Sequence, residues 1–151
     1  MDVEKVIRDY LPDVIHMLLG TCAGNKPWVC EVHFVYDNDL NLYWRSLTSR
    51  RHSREIDSNP KVAGNIVRQH TLDDYPHGIY FEGRAEKIDV EAERNKAFPL
   101  FQKRLNCDEG ILEEAKREDG HQFYKVNVDS WYAFGKFGGY KGQKFELKWG
   151  K

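Results

Sequence analysis

Hydroxyl and cationic side chains lie close together within residues 40–60, and they are Ser46, Thr48, Ser49, Arg50, Arg51 and His52. A phosphate monoester is bound by arginine, by hydroxyl groups and by backbone N–H groups, because it carries negative charge and several acceptor oxygens. A helix that begins near Ser49 would direct its free N–H groups toward the same place. The spacing predicts a phosphate site, and the alternative is a solvated helix start with Ser49 as its N-cap.

The other reactive side chains give weaker signals. The cysteines are far apart and form no CxxC pair, so the sequence suggests neither a disulfide framework nor a thiolate zinc site. No histidine pair has the spacing of a helical metal site, and His16 is expected in the core or lining a barrel. Glu31 and His33 fall on one face of a strand and could form an acid–base pair, although such residues more often face solvent or a partner subunit.

Composition narrows the class of protein. With 23 basic and 24 acidic residues among 151, the net charge of −1 gives no reason to expect a nucleic-acid partner. No apolar run approaches the roughly 18 to 20 residues that a membrane span needs. The first residues lack the apolar centre of a signal peptide, so we expect a cytoplasmic protein. The length fits one domain, residues 1–151.

The elements that position these residues follow from hydrophobic periodicity. Alternation across residues 28–36 and 40–45, with a turn at 37–39, predicts a hairpin. Further strands are expected at 14–22, 62–68, 79–88, 122–128, 131–137 and 144–149, with turns at 129–130 and 138–142. Helices are expected at 2–11, 49–58, 90–105 and 108–117, with Pro99 disturbing the third. Gly83 suggests a sharply curved strand. Six or more mostly antiparallel strands with a few helices outside them favour a mainly β (α+β) barrel.

The order of short motifs along this pattern resembles the pyridoxamine 5′-phosphate oxidase-like FMN-binding split barrels. The motifs are Phe-Val-Tyr-Asp at 34–37, Leu-Tyr-Trp-Arg-Ser at 42–46, Ser-Arg-Arg-His-Ser at 49–53, Asn-Pro-Lys-Val-Ala-Gly at 59–64 and Gly-Ile-Tyr-Phe-Glu-Gly-Arg-Ala-Glu at 78–86. The similarity is good from residue 14 to residue 88 and looser in the tail. The ordered set carries the resemblance, rather than any single motif.

The resemblance implies a six-stranded antiparallel split β-barrel with peripheral helices, a homodimer, and FMN in a groove shared by two subunits. Ser46 would supply the hydroxyl after the strand, Arg51 the phosphate-binding arginine, and His52 would stand where lysine is usual, with Arg50 left to solvent. The other positions carried over to the flavin ring, its ribityl chain and the neighbouring strands are Val32, His33, Trp44, Arg45 and Asn65. Trp44 is the aromatic residue expected to stack on the flavin ring.

The implied activity is flavin-dependent oxidoreduction of an unknown small-molecule substrate or electron donor. The tail lacks the C-terminal Arg-x-His substrate signature of true pyridoxamine-phosphate oxidase, and offers Lys136, Lys141 and Lys144 instead. Because flavin chemistry belongs largely to the cofactor, no catalytic acid or base need be visible in the sequence. Two alternatives stay open: a non-catalytic flavin-binding or storage protein, and a split barrel that binds heme or a deazaflavin.

Overall fold

The computed structural model describes residues 1–137 and 143–150. The helices are α1 (Val3–Tyr10), α2 (Arg51–Ser58), α3 (Glu91–Leu105) and α4 (Gly110–Glu114), and a 3-10 turn (Leu11–Asp13) follows α1. The strands are β1 (His16–Ala23), β2 (Lys26–His33), β3 (Val35–Tyr36), β4 (Leu42–Ser46), β5 (Lys61–Ile66), β6 (Gly78–Lys87), β7 (Gln122–Gly135) and β8 (Gln143–Lys148). The turn expected at 138–142 and the tail residue Lys141 lie outside the described residues.

All eight strands belong to one antiparallel sheet in the order β2-β1-β5-β6-β7-β4-β3, with β8 paired to the last part of β7. The two end strands, β2 and β3, are consecutive in the chain and are separated only by Phe34. The sheet therefore curls until its ends are joined through the backbone. The predicted antiparallel split barrel is confirmed. The strand count differs from the six expected, because the described residues form eight segments: β2 and β3 are separate strands, and β8 adds to the last part of β7.

The strand predicted over residues 28–36 is interrupted because its two halves pair with different neighbours. β2 pairs with β1, whereas β3 pairs with β4 in the predicted hairpin around Asp37. At the crossover the side chain of Phe34 is fully buried, and its N–H donates to the carbonyl of Ile15 at 3.0 Å. The crossover brings β2 close to β4, the strand that leads into the predicted phosphate corner.

A bulge replaces the turn that was predicted at residues 129–130. β7 is continuous, and it shifts register where Glu82 pairs with Ser130 and Gly83 pairs with Val128, leaving Asp129 without a partner on β6. A Cβ atom on Gly83 would lie 2.2 Å from the carbonyl oxygen of Asn127, so only glycine fits here. The strong curvature expected at Gly83 is thus achieved by a bulge in the partner strand.

The helices lie outside the barrel and close two apolar clusters. Trp44, Trp131 and Phe81 are fully or almost fully buried inside the barrel, and α1 covers part of the same cluster with Ile7. Under α3, Phe101 packs on Phe123 at 5.0 Å between ring centroids. No helix within residues 1–137 and 143–150 is long and apolar enough to cross a membrane.

Three helix boundaries differ from the sequence prediction. α2 begins at Arg51 with Arg50 as its N-cap, not near Ser49. α3 runs unbroken through Pro99 to Leu105, and its C-cap Asn106 has a left-handed φ of 55°. α4 is shorter than the predicted helix at 108–117 and spans Gly110–Glu114. The later start of α2 decides which arginine faces the candidate site.

Candidate functional site

A cavity of about 480 Å³ opens between the end of β4, the start of α2, β2 and the end of α3. Its lining residues are Glu31, Val32, His33, Arg45, Ser46, Leu47, Arg50, His52, Phe101, Leu105, Cys107 and His121. Five of the eight predicted cofactor positions are among them, namely Val32, His33, Arg45, Ser46 and His52. The crossover of β2 and the register of β4 bring these five residues together.

Ser46 and His52 form the buried polar corner of the cavity. Their side chains share a hydrogen bond of 2.8 Å between Ser46 Oγ and His52 Nε2. Both residues are less than 9% exposed. Burial, and secondarily the charge of Arg50, lower the pKa of His52 below its ordinary value. His52 is therefore a neutral hydrogen-bonding group at neutral pH, rather than the permanent cation that lysine would be.

Of the two arginines at the start of α2, Arg50 is the one that lines the cavity, contrary to the expectation that it lies in solvent away from the site. It precedes α2 in extended conformation, is exposed and lines the cavity wall. No carboxylate of the described residues forms an ion pair with it. An unpaired guanidinium beside a hydroxyl group and the first turn of a helix is suited to binding a phosphate.

Arg51 points to other partners and does not line the cavity. Its Nε lies 2.9 Å from Glu55 Oε2, and its guanidinium lies 4.3 Å from the ring centroid of Trp28. Thr21 donates a second hydrogen bond to Glu55 at 2.8 Å, and these bonds, that of Arg51 first, lower the pKa of the carboxyl group. The charge of Arg51 is thus compensated within the chain. Since α2 begins at residue 51, neighbouring residues 50 and 51 face in different directions.

Glu114 binds two residues that line the cavity. Its Oε2 accepts from Arg45 Nη2 at 2.7 Å. Its Oε1 accepts from the backbone N–H of His121 at 2.9 Å and lies 2.6 Å from His121 Nδ1. These contacts, the backbone bond first, lower the pKa of Glu114 to about 2. The carboxylate is therefore charged at neutral pH, and it compensates the charge of Arg45.

Trp44 and Asn65 lie outside the cavity. The indole of Trp44 is fully buried and stacks on Tyr124 at 5.2 Å with an interplanar angle of 16°. The stacking predicted between this ring and a flavin is therefore wrong, and only the backbone of Trp44 is left for a ligand. Asn65 lies on β5, paired with Leu18 of β1 and with Tyr80 of β6. Asn65 therefore does not line the cavity.

The cavity chemistry suits an amphipathic ligand with an anionic group. Arg50 and the Ser46–His52 pair form a polar part, whereas Phe101, Leu105 and Val32 form an apolar part. Arg45 Nε is buried without a hydrogen-bond partner among the described residues. Such an unpaired donor is commonly satisfied by a bound ligand or by water. These donors fit an anionic group and a polar edge of such a ligand.

Several lining residues were not found by sequence reasoning. His121 comes from the residue just before β7, and Glu114, which binds two of the lining residues, comes from α4 and is 69 residues from Arg45 in the chain. His16, expected in the core, has a side chain that is 45% exposed and lies 4.0 Å from Glu31. The described residues contain no group of three or more histidine, cysteine, aspartate or glutamate side chains placed to hold a metal ion.

Comparison with known proteins places the chain in a family. Residues 3–135 match the family model described as pyridoxamine 5′-phosphate oxidase. A UPF0306 protein of Photorhabdus laumondii is 30% identical over 93 residues, which is 61% of this chain and 64% of that relative's length. The match thus spans less than two thirds of the relative.

Two solved structures share the fold at low sequence identity. General Stress Protein 26 of Bacillus anthracis superposes with a TM-score of 0.65 at 19% identity, over 97% of this chain and 100% of that one. The heme storage protein HutZ of Vibrio cholerae superposes with a TM-score of 0.68 at 14% identity, over 99% and 98%. The split-barrel fold and the match over residues 3–135 agree. The chain is a member of the pyridoxamine 5′-phosphate oxidase family.

Proposed function

We propose that this protein binds FMN and is a flavin-dependent oxidoreductase acting on a small-molecule substrate. One observation carries the proposal: five of the positions that the family resemblance assigns to FMN line a single cavity, together with an unpaired arginine. The cavity volume of about 480 Å³ is within the range of roughly 300 to 1,000 Å³ that is usual for small-molecule sites.

Different residues of the cavity would contact different parts of FMN, according to their chemistry. Arg50, Ser46 and the first N–H groups of α2 are the donors suited to the phosphate. Arg45, Val32 and the apolar end of α3 would flank the rest of the molecule and exclude water from it. Bound FMN would supply two-electron transfer, and the protein would control orientation and access.

Heme binding is the second candidate function. The similarity to the heme storage protein HutZ supports it, as do the imidazole and thiol side chains of His33, His121 and Cys107 at the cavity, because histidine and cysteine are the usual axial ligands of heme iron. A flavin-storing protein without turnover, or one that binds a deazaflavin, is a further alternative. A homodimer with a shared groove and a cytosolic location remain predictions that belong to this proposal.

The deciding experiment is titration of the purified protein with FMN and, separately, with hemin. We expect FMN fluorescence to be quenched in a saturable way with one FMN per chain. A folded protein that leaves FMN fluorescence unchanged would contradict the proposal, and a Soret band with hemin would then favour heme. If FMN binds, reduction by NAD(P)H followed by reoxidation with an added acceptor separates an enzyme from a storage protein.

A further inference from the structure

The imidazole of His121 is held by a carboxylate at the wall of the cavity. Its Nδ1 lies 2.6 Å from Glu114 Oε1, and the same oxygen accepts the backbone N–H of His121 at 2.9 Å. The ring remains 45% exposed and lines the cavity. Two contacts to one oxygen fix both the position and the rotation of the ring.

The carboxylate also fixes which ring nitrogen carries the hydrogen. An ionised carboxylate only accepts hydrogen bonds, and the pKa of Glu114 is lowered to about 2. Nδ1 of His121 is therefore the donor. Nε2 has no hydrogen-bond partner among the described residues, so it is the nitrogen left for a ligand.

Neighbouring residues hold this pair in place. Arg45 binds the second oxygen of Glu114 at 2.7 Å and so prevents the carboxylate from rotating. Gly120 allows the close approach of α4 to the chain before β7, because a Cβ atom there would lie 2.2 Å from the carbonyl oxygen of Glu114. The arrangement of carboxylate, oriented imidazole and free second nitrogen is the one used for general acid–base catalysis.

We infer that His121 exchanges a proton, through Nε2, with the substrate bound in the cavity, and that Glu114 and Arg45 are its positioning residues. The inference rests on the proposed flavin function and adds to it the class of substrate: one that takes up or loses a proton along with a hydride. His52 does not have this role, because its Nε2 is bonded to Ser46.

A quinone illustrates the step and serves as the probe. One quinone oxygen gains the hydride that leaves the reduced flavin, so the quinone is reduced by two electrons and the flavin is oxidised. The reacting form of His121 carries a hydrogen on both ring nitrogens, and the other quinone oxygen takes the one on Nε2 as that N–H bond breaks. The imidazole is left neutral with its hydrogen on Nδ1, facing Glu114, and solvent returns the proton to Nε2.

Several charged and titratable groups surround this ring. These groups come from β2, β4, α2 and the residue before it, α4, and the segment after α3. The ones that bind the ring or line the same cavity are Glu31, His33, Arg45, Arg50, His52, Cys107 and Glu114. A pH profile of the wild type alone would combine their effects. The test therefore compares variants at one position.

The experiment uses FMN-loaded protein reduced anaerobically with dithionite and mixed rapidly with menadione, with flavin reoxidation followed by absorbance. We expect H121Q to slow reoxidation by about a hundredfold or more. E114Q should slow it less and shift its pH profile, because the ring stays placed without the charge. H70Q, which changes a histidine in the loop before β6, is the control and should keep the wild-type rate.

Two further measurements separate the possible failures. Nitrogen NMR of the flavin-free protein should show His121 with its hydrogen on Nδ1, and the opposite tautomer would overturn the inference. FMN affinity should stay within about threefold of the wild type in H121Q, since the phosphate donors are elsewhere. If the wild type binds FMN and H121Q reoxidises at the wild-type rate, only the role of His121 is contradicted. If the wild type binds no FMN, the proposed function itself fails.

Discussion

Two adjacent arginines at the start of α2 are predicted to contribute unequally to FMN affinity. Arg50 has no acidic partner among the described residues and lines the cavity, whereas Arg51 is paired with Glu55 and packs on Trp28. We expect R50A to lose a charge-assisted contact of about 1.5–3 kcal/mol, which is roughly a ten- to hundredfold loss of affinity. R51A should lose less FMN affinity, because Arg51 does not line the cavity. Fluorescence titration with FMN measures both.

An exposed arginine far from the cavity provides the control for this pair. Arg84 on β6 is exposed, and R84A removes the same charge without touching the cavity. Its affinity for FMN should match that of the wild type. A larger loss in R51A than in R50A would mean that ligand binding turns Arg51 inward, as the family resemblance implies.

The buried His52 makes the stability of the protein depend on pH. Because burial lowers its pKa in the folded state, the unfolded chain binds a proton more readily as the pH falls below about 6.5. The stability that neutral His52 contributes is therefore complete above that pH and is lost as the pH falls toward the lowered pKa. Urea unfolding should show wild type more stable than H52Q at pH about 8, with the difference shrinking toward pH about 5.

Other groups do not obscure this comparison. His77 also has a lowered pKa through burial, but it is present in both proteins and cancels in the difference. A difference in unfolding free energy that stays constant across this range would contradict a neutral, buried His52.

At the scale of elements, the sequence predicted strands well and their interruptions poorly. Alternation identified β4 and the hairpin around Asp37, because Leu42 and Trp44 belong to the barrel core whereas Tyr43 packs on the other face in the cluster under α3. The same alternation cannot distinguish a turn from a bulge. The sequence prediction therefore had two strands with a turn at 129–130, where the structure has the single strand β7. It also could not show that Phe34 is a crossover, because that depends on which strands become neighbours.

The candidate site was only half predictable for a related reason. Ser46 and His52 lie 6 residues apart, and local pattern and resemblance found both. Glu114 and His121 are positioned by α4 and β7, and no local pattern links them to residue 45. The arginine that lines the cavity is Arg50, one position before the Arg51 assigned by resemblance, and helix boundaries read from sequence differ from the structure by a few residues.

The bulge beside Gly83 should be sensitive to a single methyl group. In G83A the added Cβ would lie 2.2 Å from Asn127 O and 2.9 Å from Val128 Cα, both of them backbone atoms that cannot move without disturbing β7. We expect a loss of about 1–3 kcal/mol or more in unfolding free energy. Urea unfolding measures it.

G24A is the matched control for G83A, because a Cβ atom at Gly24 makes no close contact. It lies in the β1–β2 turn with φ of 56°, and a Cβ atom there meets nothing within 4 Å. G24A should therefore cost only the roughly 1–2 kcal/mol of a left-handed backbone. Equal losses in the two variants would show that the close approach at the bulge relaxes easily.

At the scale of the whole molecule, one outer face of the barrel is apolar and exposed. Leu18 on β1 and Val29 on β2 are 40% and 57% exposed. Leu18 pairs with Glu31, two residues from Val29, so the two side chains lie on the same face. Asn65 of β5 pairs with Leu18 from the other side. Asn65, which was predicted to contact FMN and lies outside the cavity, is thus adjacent to these exposed apolar side chains.

If two subunits share the groove, this placement predicts that FMN binding depends on dimerisation. We expect V29K to be monomeric by light scattering at a concentration where the wild type is a dimer, since a lysine there would meet an apolar face. If the groove is shared, V29K also loses FMN affinity, and the wild-type affinity rises with protein concentration by mass action. L72K is the control, because Leu72 is fully exposed in the loop before β6. A monomeric V29K that binds FMN as tightly as the wild type would mean that the cavity of one chain is the complete site, and that Asn65 takes no part in it.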